Sequence, residues 1–330
     1  MDAFNAFRIF DDNGKIHAKL VEVRLDELTP GNVVIKAAYS SVNYKDALAA
    51  TGAGKILRRF PLIGGIDVSG TVVSSSDGAF REGDEVIVTG YEMGVGHDGG
   101  YAQYVRVPAE WVVPLPRGLT LFDAMAIGTA GFTAALSVVR LEENGLSPGR
   151  GPVIVTGATG GVGSLAVACL SALRYSVTAL TGKDQEHGFL RELGARDVVS
   201  RTTLQMGTRP LEKATWAGAV DPVGGEVLAW LTRTMAYGGS IASSGLTAGA
   251  ELRTTVMPFI LRGVNLLGID SAACPMPRRV EVWRRLGSDM KPAKLGALAR
   301  TIGFADLPDA FAALLAGAAR GRFVLALASS

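Results

Sequence analysis

A long run without charged residues, Pro152–Leu173, divides into three parts with different local preferences. Pro152–Val155 is short and β-branched, a glycine-rich turn follows, and Ser164–Leu173 is apolar enough for a buried helix. A stretch of this length would suit a membrane span, but its glycines cluster in the first half. The pattern therefore predicts a strand, a turn and a helix.

The order strand, turn, helix predicts a dinucleotide-binding site. It presents backbone N–H groups and a helix N-terminus to a pyrophosphate. The glycine fingerprint starts with Ala158 in the first place and has Gly160 and Gly163 in the other two. A turn that only packs a helix against a sheet is the alternative. The predicted cofactor contacts in this turn are Thr159, Gly160, Gly161, Val162 and Gly163.

The next strand, Ser176–Leu180, indicates which nucleotide is bound. NAD-binding chains place a carboxylate at this strand end, where it accepts from the ribose 2′-hydroxyl. Here the strand ends at Thr181-Gly182-Lys183, and Arg201 follows the third short strand, Asp197–Ser200. Cations suit a 2′-phosphate, which a carboxylate would repel. We therefore expect NADP(H) at these residues, with ordinary solvated surface charges as the alternative.

The hydrophobic pattern predicts an α/β protein with two domains. Short strands separated by Gly and Pro occupy the first 120 residues and indicate a compact, partly barrel-like β domain. Helical sequence begins near Phe122, and three more strand candidates, Trp216–Asp221, Ser240–Ser244 and Val264–Ile269, complete six for a Rossmann doubly wound parallel sheet. The predicted domains are 1–121 with 272–330, and 122–271. A helix at Leu307–Ala319 and a strand at Arg322–Leu327 are expected to return to the β domain.

Composition narrows the class of protein without identifying its activity. The 330 residues carry a net charge of +2, too small to indicate a nucleic-acid partner or an anionic membrane. The cysteines, Cys169 and Cys274, are expected to be reduced thiols rather than a disulfide. The N-terminus lacks the pattern of a signal peptide, so we expect a cytoplasmic protein.

The domain order resembles the medium-chain dehydrogenase/reductase superfamily, which combines a GroES-like catalytic domain with a Rossmann domain. Zinc-dependent members carry Cys-x-x-Asp and Gly-His-Glu, where this chain has Asn43-Tyr44-Lys45-Asp46 and Gly65-Ile66-Asp67. Their cysteine ligand before the nucleotide domain is absent from Ala126–Gly131, and so is the four-cysteine structural lobe. Asparagine and isoleucine do not replace a thiolate and an imidazole. The resemblance therefore implies a reductase without zinc.

Within the superfamily, the chain resembles the acryloyl-CoA reductase group, also called YhdH-type quinone oxidoreductases. The segments that carry this resemblance are SSVNYKDALA (40–49), GIDVSGTV (65–72), GTAGFTAAL (128–136), VTGATGGVG (155–163) and TTVMPFILRGVNLLGIDS (254–271). It implies that NADPH delivers hydride to the β-carbon of a short α,β-unsaturated acyl-CoA, converting acryloyl-CoA to propionyl-CoA. An NADPH:quinone oxidoreductase and a non-catalytic NADPH-binding regulatory or structural protein are the alternatives.

Three candidate catalytic residues follow from this resemblance. Tyr44 lies where the metal would otherwise sit, and it is expected to orient the nicotinamide ribose or supply the proton, unless it is a core tyrosine. Asn43 is expected either to donate to the oxyanion or to hold a turn. Asp67 is expected to pair with Lys45 as a structural ion pair or to act in catalysis.

Further candidates contact the cofactor or the substrate. Thr129 either touches the nicotinamide or caps its helix. The resemblance implies that Leu246, Ile260 and Ser271 line the cofactor, whereas the residues alone place Leu246 and Ile260 in the core. His97 lies in a glycine-rich loop that could face a substrate, where Asp98 replaces a bulkier residue.

The phosphates of an acyl-CoA need cationic partners. One basic cluster contains Arg58 and Arg59, and a second consists of Arg278, Arg279, Arg284 and Arg285. Solvated faces are the alternative for both clusters.

The almost uncharged strand VNLLGID (264–270) would be an aggregation-prone sheet edge, which predicts a homodimer.

Overall fold

A computed structural model describes residues 3–327. The strands are, in chain order, β1 (Phe4–Asp12), β2 (Lys15–Val23), β3 (Val33–Val42), β4 (Leu62–Ile63), β5 (Asp67–Ser75), β6 (Glu85–Thr89), β7 (Tyr104–Val107), β8 (Val113–Pro114), β9 (Val153–Val155), β10 (Val177–Thr181), β11 (Asp197–Ser200), β12 (Trp216–Asp221), β13 (Met235–Ser243), β14 (Asn265–Gly268), β15 (Ala299–Ile302) and β16 (Arg322–Ala326). The helices are α1 (Tyr44–Thr51), α2 (Leu121–Glu143), α3 (Gly161–Ala172), α4 (His187–Glu192), α5 (Gly225–Thr234), α6 (Met257–Arg262), α7 (Met276–Leu286), α8 (Leu295–Leu298) and α9 (Leu307–Leu315).

These elements form two compact units. The first contains the residues up to Thr129, Ala272–Arg284 and those from Leu295 onward, and the second contains Ala130–Ser271 and Arg285–Lys294. The expected 271/272 boundary is found, but the first boundary lies at 129/130 instead of 121/122, and Arg285–Lys294 joins the second unit, because side chains tie these short segments to their neighbours. Thr129 is bonded to Asp67 of the first unit, and Arg285 is bonded to Glu142 of the second.

The first unit is built on antiparallel strands, as the short Gly- and Pro-bounded runs predict. Its main sheet has the order β15-β16-β3-β5-β6-β8, and β7 also pairs with β3. The last strand, β16, pairs antiparallel with β3, which confirms the expected return of the chain to this domain. Inward-facing residues of these strands form an apolar core that includes Ile35, Val68 and Val86.

A β-hairpin at the start of the chain was not predicted. Strands β1 and β2 pair from Phe4 with Val23 to Asp12 with Lys15, and with β4 they form a three-stranded sheet. Asn13 and Gly14 connect them with φ values of 56° and 89°. These positive values match a two-residue hairpin turn, whose twist suits the flanking strands.

The second unit is the predicted Rossmann sheet. Its six strands are parallel and have the order β11-β10-β9-β12-β13-β14. This order reverses between β9 and β12, and nucleotides bind outside the carboxyl ends of the strands at such a reversal. The run Pro152–Leu173 forms β9, a turn and α3, as its pattern predicts.

Helix α2 is long and apolar enough to cross a membrane, by length and composition alone, in the part of the chain that the structure describes. Most of it is buried, and φ of 52° at Gly128 interrupts its helical geometry. These are features of a core helix. Both cysteines are also buried, and burial raises the pKa of the Cys169 thiol to about 12, which keeps it protonated.

Candidate functional site

The glycine-rich turn between β9 and α3 is held by backbone hydrogen bonds. Ala158 N donates to Leu180 O at 3.1 Å, and Gly160 N donates to Gly157 O at 3.0 Å. A Cβ added at Gly163 would lie 2.3 Å from Gly157 O, so only glycine lets the helix approach the strand this closely. The turn therefore fixes the position at which α3 begins.

The start of α3 suits an anion. Helix geometry leaves the first N–H groups, from Gly161 to Gly163, without intrahelical acceptors. No acidic residue lies in this first turn to occupy them. Together with the positive end of the helix dipole, these donors fit a pyrophosphate. The predicted contacts Thr159 and Val162 belong to the same turn, with Thr159 buried and Val162 partly exposed.

The structure brings the four residues predicted for a 2′-phosphate together at the end of β10. The Arg201 guanidinium lies against Gly182, because a Cβ added there would be 3.1 Å from Nη2. Arg201 N also donates to Thr181 O at 2.7 Å, and Lys183 N donates to Thr181 Oγ1 at 3.0 Å. Lys183 is half-buried, which lowers the pKa of its ammonium group, while Glu186 acts in the opposite direction.

Asp221 shapes the neighbouring loop at the end of β12. Its buried carboxylate accepts hydrogen bonds from Thr156 Oγ1 at 2.5 Å, Gly224 N at 2.9 Å and Val223 N at 3.3 Å. Burial raises the pKa of Asp221, and these three donors partly offset the effect. The carboxylate thus fastens the loop that leads into α5 to the end of β9.

Leu246 and Ile260 are not core residues. Leu246 is 65% exposed and Ile260 is 71% exposed, so the interpretation from residue type alone was wrong. Exposed apolar side chains are available for a nucleotide or for another chain. Ser271, the third residue implied by the resemblance, is partly buried, and its hydroxyl accepts from Thr133 Oγ1 at 2.7 Å.

A buried polar cluster lies in the first unit around Asp67. The carboxylate accepts from Asn43 Nδ2 at 2.9 Å, Thr129 N at 2.8 Å and Thr129 Oγ1 at 2.5 Å, and also from the Ser41 hydroxyl. The expected Asp67–Lys45 ion pair is absent from the described chain, because these donors already saturate the buried carboxylate. Asp67 therefore caps the part of α2 that starts after Gly128.

Arg322 and Asp46 complete this cluster, and neither was predicted to be functional. The buried Arg322 guanidinium donates to Ser41 Oγ at 2.9 Å, Asn43 Oδ1 at 3.2 Å and two backbone carbonyls. Asp46 accepts from Asn43 N at 2.8 Å and Ile66 N at 3.0 Å. Burial, together with the charge of Asp67, raises the pKa of Asp46 to about 7. Hence the cluster holds two carboxyl groups and one arginine out of water.

These contacts favour one of the two expected roles of Asn43 and of Thr129. The Asn43 amide donates to Ser41 and Asp67 and accepts from Arg322, so its polar atoms hold the entry to α1 instead of facing a substrate oxyanion. The Thr129 N–H and hydroxyl both donate to Asp67, as a residue that begins a helix would do.

Tyr44 differs from its neighbours because its side chain is 41% exposed. It occupies the first position of α1, directly after the buried Asn43. Its hydroxyl has no hydrogen-bond partner in the described part of the protein. The alternative of a core tyrosine with a satisfied hydroxyl is therefore wrong, and this hydroxyl remains available to a ligand.

The expected substrate-facing role of His97 is contradicted by its burial. Nδ1 lies 3.0 Å from Asp98 O and Nε2 lies 3.2 Å from Pro30 O, while the ring packs edge-on against Trp111. Asp98 is also buried, and its carboxylate accepts from Thr29 and Ile63. Both residues stabilise the loop instead of lining a pocket.

The basic cluster Arg58 and Arg59 is partly neutralised. Arg59 donates to Gly96 O at 3.0 Å and to the Thr29 hydroxyl, and its Nη2 lies 3.4 Å from the buried Asp98 carboxylate. It is therefore a structural residue. Arg58 lies 3.0 Å from Glu92 but is 69% exposed, and such a surface pair contributes only about 0–1 kcal/mol. Arg58 is thus the member still open to a phosphate.

The second basic cluster does not form one surface. Arg279 is buried, stacks on the Tyr91 ring at 4.4 Å and donates to Thr89 and Ala272. Arg285 pairs with Glu142 at 2.5 Å and Asp289 at 2.7 Å. The remaining members also differ, since Arg278 lies 4.0 Å from Glu281 and Arg284 is exposed. The expectation of a shared phosphate anchor was wrong.

The residues at the positions of zinc ligands do not form a metal site. Asn43 is engaged as described, and Ile66 is a buried apolar residue whose N–H donates to Asp46. Within residues 3–327, no group of three or more His, Cys, Asp or Glu side chains could hold a metal ion. The donor set of this region therefore does not fit zinc, which needs three or four such ligands.

A six-stranded doubly wound sheet and a GroES-like unit with a buried polar cluster define a nucleotide-dependent oxidoreductase of the medium-chain class. Two family models match the chain: the alcohol dehydrogenase GroES-like domain at residues 29–117 and the zinc-binding dehydrogenase model at residues 161–286. Acrylyl-CoA reductase AcuI of Ruegeria pomeroyi is 47% identical over 98% of both chains. YhfP of Bacillus subtilis, whose name assigns it provisionally to the quinone oxidoreductases, is 52% identical over 96% of both.

Solved structures agree with these matches. The yhdH oxidoreductase of Salmonella enterica in complex with NADP has a TM-score of 0.96 and 46% identity, covering 98% of this chain and all of that one. The B. subtilis yhfP structure with NAD bound has a TM-score of 0.97 and 49% identity, covering 99% and 100%. The chain belongs to the AcuI and YhdH/YhfP family of the medium-chain dehydrogenase/reductase superfamily.

Proposed function

We propose that this protein is an NADPH-dependent, zinc-independent reductase that converts acryloyl-CoA to propionyl-CoA. The observation that carries this proposal is the 47% identity to an acrylyl-CoA reductase along nearly the whole length of both chains. Bound NADPH would supply a hydride to the β-carbon of the unsaturated thioester. Purified protein is expected to oxidise NADPH when acryloyl-CoA is added, and a lack of turnover with acryloyl-CoA, crotonyl-CoA and a benzoquinone alike would leave only a nucleotide-binding role.

The choice of NADPH rests on the corner formed by Lys183 and Arg201. Both cations lie at the end of β10, where a carboxylate would otherwise select NADH. Relatives have been crystallised with NADP and with NAD, so the preference of this chain between the two nucleotides must be argued from its own side chains. Replacing Lys183 or Arg201 with alanine should raise KM for NADPH about tenfold or more and leave KM for NADH nearly unchanged. Equal effects on both nucleotides would contradict the assignment.

Tyr44 is proposed as the residue of the first unit that acts on the reacting groups. Its exposed hydroxyl can donate to the nicotinamide ribose or pass a proton to the α-carbon. The Asp67 cluster has a different role, because its polar atoms are buried and paired with one another. It holds the start of α1, and hence Tyr44, in a fixed position.

An NADPH:quinone oxidoreductase is the second candidate function. It is favoured by the engagement of Arg59 and Arg279, since a quinone needs no phosphate anchor. Replacing the exposed Arg58 with alanine tests the two candidates. An acyl-CoA anchor predicts a KM increase of about threefold or more for acryloyl-CoA but not for benzoquinone, whereas Arg81→Ala, an exposed control in the same unit, changes neither.

A homodimer is also proposed, with β14 as the contact. This strand lies at the edge of the six-stranded sheet, and Leu266 on it is 38% exposed. Leu261 in the preceding helix is exposed as well. An unpaired apolar edge of this kind favours pairing with a second copy. Light scattering should give twice the chain mass for the wild type and a monomer for Leu266→Lys.

A further inference from the structure

Ser244 is the first residue after β13, at the carboxyl end of the parallel sheet. Its N–H donates to Asp221 O at 2.9 Å, which places it beside the end of β12. The sheet order puts β12 and β13 on one side of β9, whereas the Lys183–Arg201 corner lies on the other side, at β10 and β11. A dinucleotide whose pyrophosphate lies at the β9 turn therefore has its nicotinamide half on the side of Ser244.

The start of the loop that carries Ser244 packs closely against the loop after β12. A Cβ added at Gly245 would lie 2.2 Å from Pro222 O, and one added at Gly224 would lie 3.1 Å from Leu246 Cα. The loop after β12, which contains Pro222 and Gly224, also reaches the glycine-rich turn, since a Cβ at Gly157 would be 2.8 Å from Val223 Cγ2. The loops after β9, β12 and β13 thus lie against one another along the strand ends.

The Ser244 hydroxyl is an exception on this surface because it has no partner. Its Oγ is buried, and no described residue donates to it or accepts from it. A buried hydroxyl is normally bonded, and leaving it unpaired is unfavourable. The residue as a whole is only partly buried, and rotation about its single side-chain bond turns the hydroxyl without moving the backbone.

We propose that the Ser244 hydroxyl binds the nicotinamide half of the nucleotide, as a positioning residue that serves NADPH and NADH alike. This inference rests on the proposed nucleotide-dependent function. It assigns two roles to residues along the carboxyl ends of the strands. Lys183 and Arg201 choose between the nucleotides, and Ser244 fixes the half that both nucleotides share.

Equilibrium binding to the intact protein tests this assignment without relying on turnover. Dissociation constants are measured for NADPH, for NADH and for adenosine 2′,5′-bisphosphate, which carries only the adenosine half. In Ser244→Ala the constants for NADPH and NADH should both rise about three- to tenfold, the loss expected for one hydrogen bond. The constant for the bisphosphate should stay unchanged. Ser244→Cys keeps the side-chain volume with a weak donor, and it should show the same pattern if the alanine variant folds poorly.

Two control variants complete the design. Lys183→Ala should weaken NADPH and the bisphosphate but not NADH, the reverse pattern. Ser176→Ala removes a serine hydroxyl just before β10, at the amino ends of the strands, and should change no constant. Unchanged NADPH affinity in both Ser244 variants, or an equal loss for the bisphosphate, would overturn the inference. Wild-type protein that binds no NADPH would instead overturn the proposed function, and this inference with it.

Discussion

Replacing Gly128 with alanine should disrupt the buried cluster around Asp67, although the substitution adds only one methyl group. Gly128 has φ of 52° and ψ of −162°, a backbone conformation that is almost confined to glycine. An added Cβ would also lie 2.6 Å from Ser41 Oγ, 2.7 Å from Arg322 Nη2 and 2.8 Å from Asp67 Oδ2. All three atoms belong to one hydrogen-bonded network, so none can move alone.

The structure sets the size of the expected effect. The backbone conformation costs about 1–3 kcal/mol for a residue with a Cβ. Displacing one hydrogen bond to a charged group in the cluster adds about 1.5–3 kcal/mol, because the buried group finds no water to replace its partner. We therefore expect Gly128→Ala to lower the free energy of unfolding by about 3–5 kcal/mol.

A control variant shows the cost of a positive φ without the clash. Gly317 lies in the same unit, has φ of 65°, and has nothing within 4 Å of an added Cβ. Gly317→Ala should therefore show only the backbone term, about 1–2 kcal/mol. Thermal unfolding followed by circular dichroism measures both variants against the wild type. At about 2–4 °C per kcal/mol, Gly128→Ala should melt several degrees below Gly317→Ala. Equal melting temperatures would refute the claim that the network resists displacement.

Other perturbations of the first unit have distinct expected outcomes. Tyr44→Phe should lower kcat/KM for acryloyl-CoA at least tenfold with an unchanged melting temperature, because the hydroxyl has no partner in the described chain; a parallel loss of stability would indicate a structural role. Asp46→Asn tests the pKa of about 7. Since the folded protein binds a proton there that the unfolded chain releases above pH 4, wild-type stability should fall relative to Asp46→Asn as pH rises from 5 to 8, by up to about 3 kcal/mol. A difference that does not change with pH would show that the folded-state pKa is not raised. Arg322→Met leaves two buried carboxyl groups without their cation and should cost about 3–5 kcal/mol in denaturant unfolding; a loss below about 1 kcal/mol would show that the cluster does not need the arginine.

The Rossmann unit could be predicted because its signals are local. The central strands β9 and β12 are buried on both faces, so Pro152–Val155 and Trp216–Asp221 stand out as short apolar runs whatever lies around them. The hairpin of β1 and β2 had a local signal as well. Asn13-Gly14 between alternating residues is typical of a two-residue hairpin turn.

The cluster around Asp67 could not be predicted in the same way, because its members are distant in sequence. Arg322 is 281 residues from Ser41, to which it donates, and no local pattern connects them. Residue type also leaves the role of Asn43 open, since an amide serves an oxyanion or a turn equally well. The hydrogen-bond partners of Asn43 determine which of these roles it has. Once Asp67 and Arg322 occupy its polar atoms, catalysis needs a different donor.

Two adjacent arginines show that residues of one type and position in sequence can also have different roles. Arg58 and Arg59 are adjacent and look equivalent in sequence, yet one is 69% exposed beside Glu92 and the other is bound to the buried Asp98. Both guanidinium groups have a carboxylate within reach, and they differ in whether that carboxylate is exposed, as in Glu92, or buried, as in Asp98, which the fold determines. Because Asp98 also holds Thr29 and Ile63, removing Arg59 would disturb the loop itself. An effect of Arg59→Ala on acyl-CoA binding therefore could not distinguish an anchor from a misplaced loop, and Arg58 is the position at which the substrate class can be tested.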